Sequence, residues 1–335
     1  DKIPPGNDRR RSKENLKKID MVVYSSAIKK NNPELRYAKS TKIPTISRAL
    51  MLAEVMRLKP SVTVAGSHGK TTTTSLIACI LESSNLDPTI INGGIINSLK
   101  ANAKLGKGQW IVAEADESDG SFVCLPSTIG VITNIDLEHL DFYKDINQIK
   151  KAFINYAKNI PFYGFLALCI DDPRVKELKK KLYDKKILTY GFSEKANISV
   201  MNIRTLETNK KFYTNFDIVE NFEEKKIIKN FSVPLLGKHN VQNILASICV
   251  AKGLKISNQE IRNALKNFLG VKRRFTILYR NSSNTIIDDY AHHPREIKAT
   301  LKALKSITKK KVLAVFEPHR FSRIKGLLND FIKSF

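Results

Sequence analysis

Val62-Thr-Val-Ala-Gly66-Ser67-His68-Gly69-Lys70-Thr71-Thr72-Thr-Thr74 is the stretch on which the reading of this chain turns. Four apolar or β-favouring residues run into a glycine-punctuated turn, then Lys-Thr, then residues with helical apolar spacing. A strand that empties through such a turn into a helix gathers backbone N–H groups and the positive helix end at one point, a cradle for a phosphate chain. Lys70 adds a mobile positive charge for outer phosphates, and Thr71 a hydroxyl for a bound Mg²⁺. The spacing departs from G-x-x-x-x-G-K-[ST], because Val64 stands six residues before Lys70 where that pattern has glycine. What remains is G-x-x-G-K-T-T, and the order strand, turn, helix carries the phosphate reading against that of a plain βα turn with a solvated lysine.

Beyond this turn the pattern is βαβ. A helix is expected over about 72–84, with Leu76, Ile77, Ile80 and Leu81 facing inward. Buried strands are expected at Trp110–Ala113, Ile129–Thr133, Phe165–Ile170 and Ile187–Tyr190. Continuous apolar strands alternating with helices predict a parallel sheet covered on both faces, whose carboxyl ends share the ligand-binding edge. Two acidic runs follow those strands: Glu114-Ala-Asp116-Glu117-Ser118-Asp119, and Asn134-Ile-Asp136-Leu-Glu138-His139-Leu-Asp141. Both should converge with the phosphate turn. Mg²⁺ takes one or two carboxylates beside substrate phosphates, which makes Glu114 the leading metal ligand. His139 is a candidate for an unusual nitrogen ligand to a second ion or for a phosphate contact. Glu138, Asp141 and part of 116–119 read as solvated loop.

Residues 196–232 alternate in the manner of antiparallel strands, a hairpin region decorating the sheet. Gly237-Lys-His239-Asn240-Val-Gln-Asn243 opens a further helix, where His and Asn serve either as caps or as partners of a nucleobase edge. Gly270-Val-Lys-Arg273-Arg274-Phe275 reads as an interdomain hinge with arginines for phosphate oxygens. Thr285–Asp289 and Lys311–Phe316 read as strands whose ends carry Tyr290-Ala-His292-His293-Pro294 and Glu317-Pro-His-Arg320-Phe-Ser-Arg323. Before the phosphate turn, Met21–Tyr24 reads as a short buried strand, and Arg48–Leu58 as a helix with Leu50, Ala53, Val55, Met56 and Leu58 available for its buried face. This opening reads as the tail of a domain whose beginning is absent, and the end at Phe335 as too early for a closed α/β domain.

A hydrophobic content of 42% and a charged content of 27% are those of a soluble globular protein, and no apolar run approaches a membrane span. Cys79, Cys124, Cys169 and Cys249 are widely spaced, which favours reduced thiols and a cytoplasmic setting. The net charge of +25 is concentrated in the flanks, with 15 Lys/Arg against 6 acids in residues 1–59 and 15 against 5 in 271–335. A basic P-loop protein that binds nucleic acid would suit this charge, but aromatics are not interleaved with the basic residues as stacking requires. Attraction of nucleotides is sufficient, so neither nucleic acid nor membrane is expected as a partner.

The ordered motifs Gly66–Thr74, Glu114–Asp119, Asn134–Asp141, Gly237–Asn243, Gly270–Phe275, Asp288–Pro294 and Glu317–Arg323 resemble those of the Mur ligases, ATP-dependent amide-forming enzymes of peptidoglycan synthesis. Tyr-Ala-His-His-Pro, Pro-His-Arg-Phe-Ser-Arg and Tyr24-Ser-Ser-Ala-Ile-Lys-Lys-Asn-Asn-Pro-Glu34 look like the members that join L-alanine to UDP-N-acetylmuramate. A near alternative is the member that attaches a preformed murein tripeptide. The resemblance implies an α/β fold of three domains, a central P-loop-type parallel sheet (60–270) flanked by partial Rossmann-like domains (1–59, binding the UDP-sugar, and 271–335). It implies ATP contacts from Gly66, Ser67, His68, Gly69, Lys70, Thr71, Thr72, His239, Asn240, Asn243, Arg274 and Asp289. Mg²⁺ would be held by Thr71, Glu114 and His139, and catalysis carried by Lys70, Glu114 and His139. Ser25, Ser26 and Ser118 would lie toward the UDP-sugar, and Tyr290, His292, Arg320 and Arg323 around the alanine, in a monomer or homodimer. Ser67 and Glu138 depart from the family's usual Thr and Asp.

Overall fold

The computed structural model describes residues 13–139, 141–208 and 211–335, which form two compact units dividing between Leu58 and Lys59. In the first unit, β1 (Val22–Tyr24) pairs in parallel with β2 (Thr45–Ser47), and α1 (Pro33–Ser40) and α2 (Arg48–Met56) accompany them. Asn32 caps α1 by accepting from the N–H groups of Glu34 and Leu35, and Ser47 caps α2. Two expectations fail here. β1 is not buried, with Val23 47% exposed, and on α2 only Ala53 and Met56 are buried while Leu50, Val55 and Leu58 face outward. Three strand residues in a two-stranded sheet are too few to cover both faces.

The second unit is built on a ten-stranded sheet. Its elements are β3 (Ser61–Ala65), α3 (Lys70–Ser83), β4 (Thr89–Ile96), β5 (Ala101–Lys104), β6 (Ile111–Glu114), β7 (Ile129–Ile132), α4 (Ile146–Lys158), β8 (Phe165–Cys169), α5 (Pro173–Lys179) and β9 (Ile187–Tyr190). Then come β10 (Ile198–Thr208), β11 (Lys211–Asn221), β12 (Lys225–Val233), α6 (Lys238–Gly253) and α7 (Asn258–Lys266). The spatial order is β12-β11-β10-β9-β8-β7-β3-β6-β4-β5. Pairing is parallel from β10 through β4 and antiparallel at the ends, where β11, β12 and β5 add on. The strands expected around 62–65, 110–113, 129–133, 165–170 and 187–190 are all present. The segment 196–232 extends the same sheet instead of decorating it. β4 and β5 were not foreseen, because Asn92-Gly93-Gly94 interrupts the apolar run.

Helix α3 is buried nearly all round, with Leu76, Ile77, Ile80 and Leu81 at 0% exposure. It packs on the sheet and against the helices α6 and α7, and each such aliphatic side chain stabilises the fold by about 1.5–3 kcal/mol. Burial on this scale holds the start of α3 rigidly at the carboxyl edge of the sheet.

The remainder is a two-stranded antiparallel ribbon of β13 (Thr276–Arg280) and β14 (Thr285–Asp288), with α8 (Pro294–Ile307) and α9 (Phe321–Ile332). The strand expected at Lys311–Phe316 does not form. Those residues have no ladder partner among the described residues, and Leu313 and Val315 face solvent. Apolar alternation cannot by itself make a strand where no neighbour supplies hydrogen bonds. No helix of the described residues is long and apolar enough to cross a membrane.

Candidate active site

β3 leads into the turn through Gly66, whose φ of +136° and contact with Thr133 leave no room for a side chain; a Cβ there would overlap Thr133 Oγ1. Gly69, at φ +84°, is pressed against Asn243 in the same way. Gly69 is also the N-cap of α3 and offers no side-chain cap, so the first N–H groups of the helix remain available to an anion. The turn is braced by residues that follow β7. The His68 N–H donates to Asn134 Oδ1 at 2.9 Å, and the His68 carbonyl accepts from Thr133 Oγ1 at 2.7 Å and Asn134 Nδ2 at 3.0 Å. Ser67 Oγ accepts the Asp136 N–H at 2.8 Å.

Lys70 folds back over the turn, its Nζ donating to the Gly66 carbonyl at 2.7 Å and pairing with Glu117 at 2.9 Å. Glu117 also lies 3.3 Å from His139 Nε2, so one buried carboxylate holds both of these candidates. Burial opposes the charge on Glu117, but Lys70 and the hydrogen bond from His139 outweigh it and pull the carboxyl down to about 2. Burial likewise opposes the charge on Lys70, and Glu117, Glu114 and Asp116 together raise it above its ordinary value. The Tyr143 hydroxyl donates to the Glu117 carbonyl at 2.8 Å and fixes this loop. Glu114, the last residue of β6, accepts the Gly93 N–H at 2.9 Å.

Thr71, Glu114, Lys70 and His139 line one cleft of about 390 Å³, and Arg274, Tyr290, His292 and Arg323 line it too. A second cleft of about 350 Å³, reached from the same turn, is lined by Thr72, His239, Asn240, Asn243, Arg274 and Asp289 among others. His68 and Gly69 also line this second cleft, Ser67 and Gly69 the first. Asn240 donates to the Leu236 carbonyl at 2.8 Å and accepts from Asn243 at 3.2 Å. Burial pushes the His239 imidazole down to about 4, so it is neutral near pH 7. Asp289 accepts the N–H groups of Phe275 and Ala291, each at 2.8 Å, and its burial raises the carboxyl above its usual range.

The remaining candidates are placed less uniformly. Arg323 is buried, with its guanidinium 3.4 Å from Glu138, whereas Arg320 is half-exposed and 3.8 Å from Asp141. Ser118 donates to Asp116 at 2.9 Å and does not line either cleft. Ser25 and Ser26 lie in the first unit, where Ser25 Oγ accepts the Ala27 N–H at 3.3 Å. Glu138 corrects an expectation, for it is buried instead of solvated, and burial raises its carboxyl. Of the run 116–119, Glu117 is the buried carboxylate and Asp116 is exposed. Neither Glu138 nor Glu117 was separable from its exposed neighbours in an acidic run, because charge patterning says nothing of which carboxylate turns inward.

Asp136 and Glu296 take part in the site without having been singled out. His68 sits between them, Nδ1 3.2 Å from Glu296 and Nε2 3.4 Å from Asp136. Burial opposes protonation of this imidazole, but the hydrogen bonds to Asp136 and Glu296 prevail and raise it to about 9. The folded-state value lies above the unfolded 6.5, so this stabilisation is fully present below pH 6.5 and is lost as pH rises through 9. Thermal melts should therefore show a fall in Tm between those pH values that His68→Asn flattens; equal slopes in both proteins would contradict the assignment.

Comparison with known proteins agrees with this geometry. Residues 64–251 match the Mur ligase middle domain, 273–335 the Mur ligase glutamate ligase domain and 10–60 the Mur ligase family catalytic domain. The UDP-N-acetylmuramate–L-alanine ligase of Rickettsia bellii is 49% identical over 326 residues, covering 96% of this chain and 68% of the relative. That of Rickettsia prowazekii is 50% identical over 328 residues, covering 97% and 66%. The chain thus spans about two thirds of the length of these relatives. The crystal structure of UDP-N-acetylmuramate-alanine ligase from Thermotoga maritima superposes with a TM-score of 0.80 at 26% identity, over 97% of this chain and 71% of that one. The Neisseria meningitides UDP-N-acetylmuramate:L-alanyl-gamma-D-glutamyl-meso-diaminopimelate ligase gives a TM-score of 0.65 at 25% identity, over 77% and 82%. With domain matches along the chain and a glycine turn whose lysine lines one cleft together with Glu114, Glu138 and His139, this chain belongs to the Mur ligase family.

Proposed function

We propose that the protein joins L-alanine to UDP-N-acetylmuramate at the expense of ATP, in the cytoplasm, as a step of peptidoglycan precursor synthesis. The observation that carries this reading is the shared cleft, which Lys70, Thr71, Glu114 and His139 line together with Tyr290, His292 and Arg323. The adenosine of ATP suits the adjoining cleft of His239, Asn240, Asn243 and Asp289, with Arg274 bordering both. The phosphates then lie over the uncapped start of α3, and Lys70 moves from Glu117 to their outer oxygens.

The donor set suits Mg²⁺. Thr71 offers a hydroxyl and Glu114 a carboxylate, and the buried His139 Nδ1 has no hydrogen-bond partner among the described residues. When bound, the ion would neutralise phosphate charge as it develops. The sugar's lactyl carboxylate attacks the γ-phosphorus and ADP departs; the alanine amine then attacks the acyl phosphate and releases inorganic phosphate. Arg323 and Arg320 suit the carboxylate of the incoming amino acid, where a planar guanidinium binds in a bidentate manner. Burial holds His292 below its ordinary value, which leaves a neutral imidazole beside the amine that must shed a proton.

Phosphate release with a panel of acceptors tests the reading, on this chain and on a version extended to its relatives' length. L-Alanine is expected to support release where the murein tripeptide does not. Release with tripeptide alone would transfer the assignment to the tripeptide-joining class, which the Neisseria neighbour represents. Salt-sensitive binding to mixed-sequence DNA or RNA without either activity would favour a nucleic-acid-binding ATPase.

A further inference from the structure

The phosphate turn and the segment Tyr290–His293 are joined by a short chain of contacts through two side chains. His68, in the middle of the turn, reaches Glu296 on the first turn of α8 with Nδ1 at 3.2 Å. The other carboxylate oxygen of Glu296 accepts the His292 backbone N–H at 3.1 Å and lies 3.6 Å from His292 Nδ1. A parallel link runs from Asp136, 3.4 Å from His68 Nε2, to Arg295 Nε at 2.9 Å on the same helix. The His293 ring packs against that of His68 with centroids 4.6 Å apart, and its Nδ1 accepts the Arg295 N–H at the start of α8. Both ends of this chain are stiff. The His68 backbone is fixed by Thr133 and Asn134, and Glu296 is partly buried, its side chain 15% exposed, and held ionised well below the usual carboxylate range despite its desolvation, chiefly by its bond to His68.

We propose that His68 and Glu296 are positioning residues that transmit occupancy of the phosphate turn to the acceptor segment Tyr290–His292, so that nucleotide binding orders the surface on which the amino acid is received. The inference rests on the functional reading in assigning that segment to the acceptor, but the coupling itself does not require the acceptor to be alanine. His68 cannot shift with the turn without carrying Glu296, and Glu296 cannot shift without releasing the His292 N–H. A purely structural ion pair would stabilise the fold and leave ligand effects at the two places independent of one another.

Hydrogen–deuterium exchange on the chain as it stands, with and without a non-hydrolysable ATP analogue and Mg²⁺, separates these cases. In the native chain the analogue is expected to slow exchange in both the 62–76 and the 290–298 peptides, the latter by about five- to tenfold, within the usual range of site-to-site coupling. The second peptide leaves out Asp289, which on the functional reading meets the nucleotide directly. In Glu296→Gln, which keeps the shape of the side chain, protection of 62–76 should persist while protection of 290–298 is lost. His68→Asn, read at an analogue concentration that saturates the turn because His68 itself lines the nucleotide cleft, should also lose protection of 290–298, and the double variant should be no worse than Glu296→Gln. Protection of 290–298 that survives in Glu296→Gln overturns the proposal. So does loss of protection at 62–76 in Glu296→Gln, which would mean that Glu296 only binds nucleotide. A global fall in protection without ligand would mark misfolding, and Glu296→Asp then serves as the second variant, with partial protection of 290–298 expected and full protection contradicting the coupling. If alanine-dependent phosphate release fails while this pattern holds, the functional reading falls and the coupling stands.

Discussion

Lys70→Ala abolishes MgATP-dependent phosphate release while the far-UV circular dichroism stays that of the native protein. The charge lost is the one we propose reaches the outer phosphates, and the removal of a single preorganised donor from such a site costs on the order of 10²–10³-fold in rate. The variant has a second effect that the sequence alone would not suggest. Glu117 loses its 2.9 Å partner in a buried setting, and breaking such a pair costs up to about 3–5 kcal/mol, tempered here because His139 remains 3.3 Å away. A marked fall in Tm should therefore accompany the loss of activity. The double variant Lys70→Ala/Glu117→Gln removes the orphaned charge, so it should recover much of the Tm and none of the turnover. Near-normal turnover in Lys70→Ala would remove the lysine from the mechanism, and an unchanged Tm would deny the ion pair.

Glu114→Ala is the second large effect. Outer-shell partners of a metal ligand already cost about 10–100-fold in metal affinity, so loss of a carboxylate ligand itself should exceed that range. Titration of phosphate release with Mg²⁺ should show the apparent affinity falling by at least about 100-fold, with turnover partly restored at high Mg²⁺. Stability should change little, because the Glu114 carboxylate bonds an exposed Gly93 N–H. Paramagnetic resonance of Mn²⁺ gives a readout independent of turnover: free Mn²⁺ signal should rise in the variant at fixed total metal and nucleotide. Unchanged Mn²⁺ binding together with unchanged Mg²⁺ dependence would move the ion away from β6.

What could be read in advance follows from burial. Strands β3, β6, β7, β8 and β9 are continuous apolar runs because both of their faces are covered, and such runs are visible without coordinates. β4 was hidden because Asn92, Gly93 and Gly94 interrupt it near the cleft, where Gly93 approaches Glu114 and Gly94 approaches Thr71. At 311–316 the opposite happened, since an apolar segment carried strand character with no neighbour to pair with among the described residues. The site divides in the same way. Lys70, Thr71, Glu114 and His139 were nameable because they stand at strand ends and at a glycine turn, positions defined by local sequence. Glu117, Glu138 and Glu296 matter because of which way they turn and what they meet more than 20 residues away, as with Glu117 and Lys70, Glu138 and Arg323, and Glu296 and His68. Glu296 in particular looks like any acidic residue in the first turn of a helix until His68 is seen against it.

The central claim is that the scattered polar turns meet at one rim where a nucleotide phosphate is handed to a carboxylic acid. It is tested most directly with UDP-N-acetylmuramate carrying ¹⁸O in its lactyl carboxylate. During turnover with ATP and L-alanine, the released inorganic phosphate should carry one ¹⁸O from that carboxylate, because the acyl phosphate gives up its bridging oxygen to phosphate when the amine attacks. Phosphate free of the label, formed in step with amide product, would contradict the account.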